Sequence, residues 1–220
     1  MDKRFWAIVG IIVVAFSGII FVNSQKKTPA PVGTTSHYAG NLQSKVTLTE
    51  YGDYQCSACG KFYPVTKQVK EKYGDRVRFQ FRNLPLTSIH PNAFAGARAA
   101  EAADLQGKFW EMHDLLYENQ DPYGRIGWVA DKDPLTNYFV KYAKQLELDI
   151  TRFKKDFAST AVNTRINADL EAFKATKEQM STPTFFLNGK RIESAKLVDA
   201  ASNPTLEGFS KVLDTALSKK

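Results

Sequence analysis

The chain predicts an α/β fold in which a block of helices interrupts a small mixed sheet. Three observations carry that expectation. The segments KVTLTEY (45–51) and RVRFQFRNLPL (76–86) alternate apolar and polar residues with the period of a strand. From His90 to about residue 175 the apolar residues recur instead at helical spacing. Near the C-terminus, TPTFFLNGKRIES places Asn188-Gly189, a favoured two-residue hairpin turn, between two short extended runs.

Composition sets the outer limits. The 220 residues are 43% hydrophobic and 24% charged, enough for a substantial single core, or one core plus an inserted subdomain, and neither disordered nor wholly membranous. Lys and Arg total 30 against 23 Asp and Glu, a net charge of +7. The basic residues are interspersed with acids and form no dense block or aromatic-interleaved stripe, which argues against nucleic acid as a partner. A solvated surface lying near anionic lipid suits this charge better.

The first element is not part of the globular fold. Phe5 to Val22 is an uncharged apolar run. A helix over it, at about 1.5 Å per residue, would reach roughly 27 Å, close to the ~30 Å hydrocarbon thickness of a bilayer. Residues 1–22 therefore read as an N-terminal transmembrane anchor. A signal peptide is the competing reading; its apolar core is usually about 7–15 residues and ends in an A-x-A-like cleavage site. Asn23-Ser24-Gln25-Lys26-Lys27 offers no such site. Either reading sends the rest of the chain across the membrane, although Lys3 and Arg4 before the run and Lys26 and Lys27 after it leave its orientation unset by charge. Residues 23–40, rich in Pro, Thr and Ser, read as a linker, and 41–220 as the globular domain.

Within that domain, the strand at 45–51 leads into a helix on which Val65, Val69 and Tyr73 share a face, with Pro64 expected to kink it and Gly74 to stop it. The second strand follows, carrying Val77, Phe79 and Phe81. The helical insertion, about 90–175, opens at His90-Pro91-Asn92. Asp133-Pro134 supplies an N-cap with proline at the first helical position, and Leu135, Tyr138, Phe139, Tyr142 and Leu146 form an apolar stripe behind it. Later helical patterns hold Phe153 and Phe157, then Val162, Ile166, Leu170 and Phe173. After the hairpin, Asn203-Pro204 is expected to open a last helix bearing Leu206, Phe209, Leu213 and Leu217. This order is compatible with a thioredoxin fold interrupted by helices.

The stretch DYQCSACGKFYP holds both of the chain's 2 cysteines, Cys56 and Cys59. Three readings compete for them. A structural zinc site takes about four N/S ligands; the chain has no second CxxC, and His37, His90 and His113 are scattered. A structural disulfide would close a very short loop and stabilise little on entropic grounds. A redox pair suits the setting best. The cysteines stand where a strand runs into a helix N-terminus, and unsatisfied N–H groups and the helix dipole there stabilise a thiolate. Cys56 at the helix start can attack or be attacked, and Cys59, one turn in, can resolve the mixed disulfide. A lone CxxC is only moderately specific, so its context matters.

Three segments together, TEYGDYQCSACGKF, IHPNAFAGARAAEAADLQGKFWEMHDLL and STPTFFLNGKRI, resemble the DsbA-like thiol:disulfide oxidoreductases, in particular the membrane-anchored bacterial subgroup with a helical insertion. The resemblance covers about residues 40 to 219. It implies a thioredoxin fold on the extracytoplasmic side of a bacterial membrane that passes disulfides to reduced, newly exported proteins. It also implies reoxidation by a quinone-linked membrane oxidase, with no metal or organic cofactor. By residue, it implies that Cys56 is the attacking cysteine and Cys59 its buried partner. Thr182-Pro183 matches the loop whose cis-proline packs beside the sulfurs and offers backbone groups to an extended peptide. Glu50 matches a buried acid able to relay the Cys59 proton. One departure stands out: Ser57-Ala58 replaces the Pro-His of the best-known member, so a milder oxidant is expected.

Other readings stay open beside this one. A disulfide reductase or isomerase uses the same pair in its reduced state, and a non-catalytic chaperone or metal-delivery module uses the thiols as ligands. His113, four residues after Phe109, reads as a packed core histidine, and His90 as a cap or turn residue. Trp110 and Trp128 read as core rather than peptide-groove residues, and Arg82, at the end of the second strand, is assigned no role opposite Glu50.

Overall fold

The computed structural model describes residues 33–219; the apolar run 5–22, with its anchor and signal-peptide readings, and most of the expected linker lie outside the described residues. Among the described residues no helix is long and apolar enough to cross a membrane.

The sheet has five strands in the order β1-β3-β2-β4-β5. β2 (Thr47–Gly52) and β3 (Arg78–Asn83) are parallel and joined by helix α1 (Ser57–Tyr73). β4 (Thr184–Leu187) runs antiparallel to β2 and turns into β5 (Lys190–Arg191). The expected hairpin turn is there: Asn188 and Gly189 both take positive φ, 50° and 80°, the pair a tight two-residue turn demands. α1 runs unbroken through Pro64.

β1 (His37–Gly40) corrects the expectation that 23–40 is linker throughout. It pairs antiparallel with β3, His37 opposite Phe81. HYAG is too short and too polar to show strand alternation, and its place is set by long-range contacts instead. Thr35, just before it, donates from its N–H and hydroxyl to Asp169 at 2.9 and 2.6 Å. His37 Nε2 lies 2.5 Å from Glu101 Oε1 and Nδ1 lies 3.3 Å from Asp104 Oδ1, while its ring stacks on Phe109. Arg165 completes the network on Glu101 Oε2 at 3.0 Å and on Asp104.

Between β3 and β4 lie the helices of the insertion: α2 (Ala93–Asp104), α3 (Phe109–Glu118), α4 (Val140–Gln145), α5 (Ile150–Phe157) and α6 (Thr160–Ala175). α4 is entered through a π-helical turn at Leu135–Phe139, where Asp133 accepts from the Thr136 N–H at 3.2 Å, as its predicted capping role requires. Asp149 and Ser159 cap α5 and α6. The last helix, α7 (Leu206–Leu217), is capped by Thr205 rather than by Asn203, which instead closes a turn onto Asp199. α1 thus separates two cores. Phe62, Val69 and Tyr73 pack with Phe185, Phe209 and Leu213, whereas Cys59 and Tyr63 join Tyr54, Phe81, Leu116, Trp128 and Phe139 of the insertion side. The cysteine pair lies at the boundary, on the second of these.

Candidate active site

β2 ends at Gly52 and α1 begins at Ser57, so residues 53–56 turn the chain from sheet to helix. Cys56 is the residue that caps α1, in extended geometry, and its carbonyl accepts from the Gly60 N–H at 3.1 Å. Gln120, past the end of α3, ties down this turn by donating to the carbonyls of Tyr54 and Cys56 at 2.6 and 3.0 Å. A side chain at Gly60 would run into that amide, since an added Cβ would lie 1.9 Å from Gln120 Oε1.

Both sulfurs are free thiols and both are buried, Cys56 at 7% exposure and Cys59 at 0%. Cys56 donates to the Thr182 carbonyl at 3.5 Å, and the bond from Thr182 to Pro183 is cis. Residues 126 positions apart in sequence thereby meet at one sulfur. The Thr182 hydroxyl is buried without a partner among the described residues and is near enough to donate to an ionised Cys56.

The pair is electrostatically unequal. A hydrogen bond from the Cys59 thiol, together with Thr182 and the Cys59 N–H of the first helical turn, brings the Cys56 pKa down to about 6 against the opposing effects of burial and the Asp53 charge. Burial pushes Cys59 well above the ordinary thiol range, and the neighbouring Cys56 and Glu50 push it the same way. Glu50, in β2 between Phe81 and Phe185 of the flanking strands, is raised to about 7 by burial, with the Lys70 ammonium partly offsetting this. It borders a cavity of about 20 Å³ together with Lys70, Thr66 and Trp110, space for one water. Lys70 reaches this cavity lying over the Trp110 ring, 4.4 Å from its centroid.

The structure therefore brings together Cys56, Cys59 and the Thr182-Pro183 loop, with Glu50 close enough to act on Cys59 through its charge. Arg82 is directed at the Tyr51 hydroxyl, and Lys70 is the cation that acts on Glu50. His113 is a buried core residue held below its ordinary pKa by burial and bonded to the Tyr54 hydroxyl. Trp128 is fully buried and Trp110 partly so.

Four neighbours escape sequence reasoning: Lys70, Gln120, Asp53 and His90. Lys70 was recoverable, because Cys59, Tyr63, Thr66 and Lys70 follow one another at helical spacing along α1. His90 is more than a turn residue: its Nδ1 lies 2.7 Å from the buried carboxylate of Asp53. Nothing local in the sequence signals that pairing. Among the described residues, His37, Glu101 and Asp104 have ligand-type atoms within 4.8 Å of one another. Arg165 already occupies both carboxylates, so this cluster is an ion-pair network with its charge balanced.

Comparison with known proteins agrees with this architecture. BdbD from Bacillus subtilis, in its oxidised crystal structure, superposes with a TM-score of 0.66 at 21% identity, covering 86% of this chain and 98% of that one. A thioredoxin-like oxidoreductase from Silicibacter pomeroyi gives 0.63 at 20% identity over 82% and 91% of the two chains. MdbA, a thiol-disulfide oxidoreductase from Actinomyces oris, gives 0.62 at 18% over 81% and 86%. Among curated sequences, the Na(+)/H(+) antiporter NhaA 3 of Salinispora tropica is 37% identical over 174 residues, and NhaA of Herminiimonas arsenicoxydans is 33% identical over 159. Those alignments cover 79% and 72% of this chain but only 25% and 23% of the relatives, so the chain spans about a quarter of their length. A family model described as Thioredoxin matches residues 33–215, and with its DsbA-like arrangement of sheet and inserted helices the chain belongs to the thioredoxin family.

Proposed function

We propose that this protein is an extracytoplasmic thiol:disulfide oxidoreductase that donates disulfides to exported proteins through Cys56 and Cys59. The observation that carries the reading is the inequality of the pair: Cys56 lowered to about 6 and Cys59 raised, one turn apart at a helix start beside a cis-proline loop. In the oxidised protein, a client thiolate attacks Cys56 Sγ. The Cys56–Cys59 bond breaks, and the electron pair leaves on Cys59. Cys59, with its raised pKa, takes up a proton, for which Glu50 is the proposed donor. A second client thiolate then attacks the client sulfur of the mixed disulfide and releases Cys56 as a thiolate. The client loses two electrons and the protein gains them. A quinone-linked membrane oxidase is the proposed acceptor that restores the disulfide, and Phe5–Val22 the proposed tether that keeps the domain at the membrane.

Thr182 and Pro183 are the proposed docking edge for an extended client. Exposed apolar residues flank the site in sequence, Ile89 beside His90 and Met180 two residues before Thr182. Such groups suit a partner that is still unfolded. The test is the reduction potential of the pair, measured against glutathione, together with refolding of reduced ribonuclease. Rapid disulfide transfer at a potential well above about −270 mV, the thioredoxin value, supports the reading. Efficient insulin reduction at a low potential would instead make the protein a reductase, and metal retention without exchange a binding module.

A further inference from the structure

Ser57 and Ala58 carry no charge, and the fixed charge nearest to Cys56 along the chain is negative. Asp53 lies three residues earlier, and its carbonyl accepts the Cys56 N–H at 3.1 Å. Its carboxylate is closed to solvent, with side-chain exposure of 0%. Oδ1 accepts from the Gln55 N–H at 2.8 Å, and Oδ2 from the Leu86 N–H at 2.9 Å and from His90 Nδ1 at 2.7 Å. An anion buried so near the sulfur opposes ionisation of Cys56. Among the described residues, His90 is the one side chain that forms an ion pair with this carboxylate.

The chain holds the imidazole there from both sides. The His90 N–H donates to the Leu86 carbonyl at 2.9 Å, and the His90 carbonyl accepts from Ala93 at 3.1 Å. The next residues extend the tie, since the Asn92 N–H donates to Gln55 Oε1 at 2.6 Å, one residue before Cys56. The ionisable groups acting on the ring are Asp53, from the turn after β2, and Cys56, at the start of α1. Gln55 and Asn92, which tie this loop to the turn before Cys56, are neutral.

We propose that His90 is a positioning residue for thiol–disulfide exchange. Locked to Asp53 as an imidazolium, it cancels the buried carboxylate and supplies from a distant loop the positive charge that the Ser57-Ala58 dipeptide lacks. The Cys56 thiolate, the leaving group in disulfide donation, is the species this charge favours. The hydrogen bond to Asp53 raises the His90 pKa, burial opposes that rise, and the charges of Asp53 and Cys56 add to it, in keeping with such a coupling. Coupling of this kind is reciprocal: the imidazolium favours the thiolate by the same factor as the thiolate favours the imidazolium. A disulfide carries no charge, so oxidation removes one of the anions that hold the proton on His90.

The proposal rests on Cys56 being the attacking sulfur, and two measurements test it separately from that reading. The first follows the His90 ring of the intact protein by NMR from pH 4 to 9 in both redox states. A higher pKa in the reduced protein is expected, and an equal pKa in the two states overturns the coupling. The second uses His90→Gln, which keeps an amide donor for Asp53 but removes the charge. Thiolate absorbance of Cys56 should then appear at higher pH, and the equilibrium with glutathione should shift threefold or more toward the disulfide form. A folded variant, judged by near-UV circular dichroism, with wild-type Cys56 titration overturns the proposal. If the variant does not fold, the wild-type ring titration decides alone. Efficient exchange by a protein whose His90 is indifferent to redox state would remove this role and leave the oxidoreductase reading standing.

Discussion

Cys56 and Cys59 show how far one turn of helix can separate two copies of the same side chain. The first faces donors, the Cys59 N–H and thiol and the Thr182 hydroxyl, while the second faces burial and an acid. Glu50 is the residue proposed to deliver the proton to Cys59. Its pKa of about 7 means that it is half protonated at neutral pH, so it can give a proton to the departing Cys59 thiolate and lose that ability as the pH rises through about 7. Glu50→Gln is therefore expected to slow the Cys59-dependent step roughly tenfold or more and to abolish its inflection near pH 7, read by stopped-flow tryptophan fluorescence during disulfide transfer. A mutant profile that keeps the inflection would exclude Glu50 as the donor. At this scale the sequence was legible where spacing is local. Cys56 and Cys59 announce themselves, and the TPTFF segment marks the loop that reaches them. His90 and Gln120 reach the same turn from across the fold, and no periodicity links them to it.

Among the elements, β1 carries a sharp test. Its place depends on a buried network of His37, Glu101, Asp104 and Arg165 rather than on its own propensity. Burial opposes protonation of His37, but hydrogen bonds to Asp104 and Glu101 and their charges outweigh it and raise its pKa. A histidine raised in this way contributes stability that is complete below its unfolded value of about 6.5 and lost as the pH rises through the folded value. Glu101→Gln, which removes the fully buried one of the two carboxylates that His37 and Arg165 share and leaves them Asp104 alone, is expected to cost about 1.5–3 kcal/mol in urea unfolding. It should also speed amide exchange across the β1–β3 ladder before the rest of the sheet responds. An unchanged midpoint would show that β1 is held by other contacts. The contrast with the β4–β5 hairpin explains what the sequence concealed. Asn188-Gly189 is a local signal with a local cause, and it forms as read. HYAG has no such signal, because the groups that make it a strand are Phe109, Glu101 and Asp169, on helices far along the chain.

For the molecule as a whole, an acidic thiol ties redox state to folding. An unfolded cysteine ionises near about 8.5, whereas Cys56 in the fold is lowered to about 6. A depressed pKa contributes stability that is complete above the unfolded value and disappears as the pH falls through the folded one. The reduced protein should thus gain stability between about pH 6 and 8.5, by about 1–3 kcal/mol after allowance for solvent screening, and Cys56→Ser should lack this gain. Urea midpoints at pH 5, 7 and 9 check it, and parallel curves for the two proteins would refute it. The overall architecture was readable in advance, since strand, cysteine pair, helix and strand, then helices, then hairpin and helix, is an order visible in hydrophobic period alone. The β1 edge and the meeting of loops at the sulfur were not, because both depend on contacts between residues far apart in sequence.

Both margins of the sheet are also very short. β5 consists of Lys190 and Arg191, two cations, and β1 has four residues, one of whose carbonyls, that of Tyr38, is taken by the Trp110 indole at 3.1 Å. An aggregating chain recruits others by laying a new strand along an open border, and stubs of this size, charged or capped, give it almost no rail to follow. A protein proposed to spend its life among half-made polypeptides would, by this design, touch them at its sulfur end without becoming the seed on which they collect.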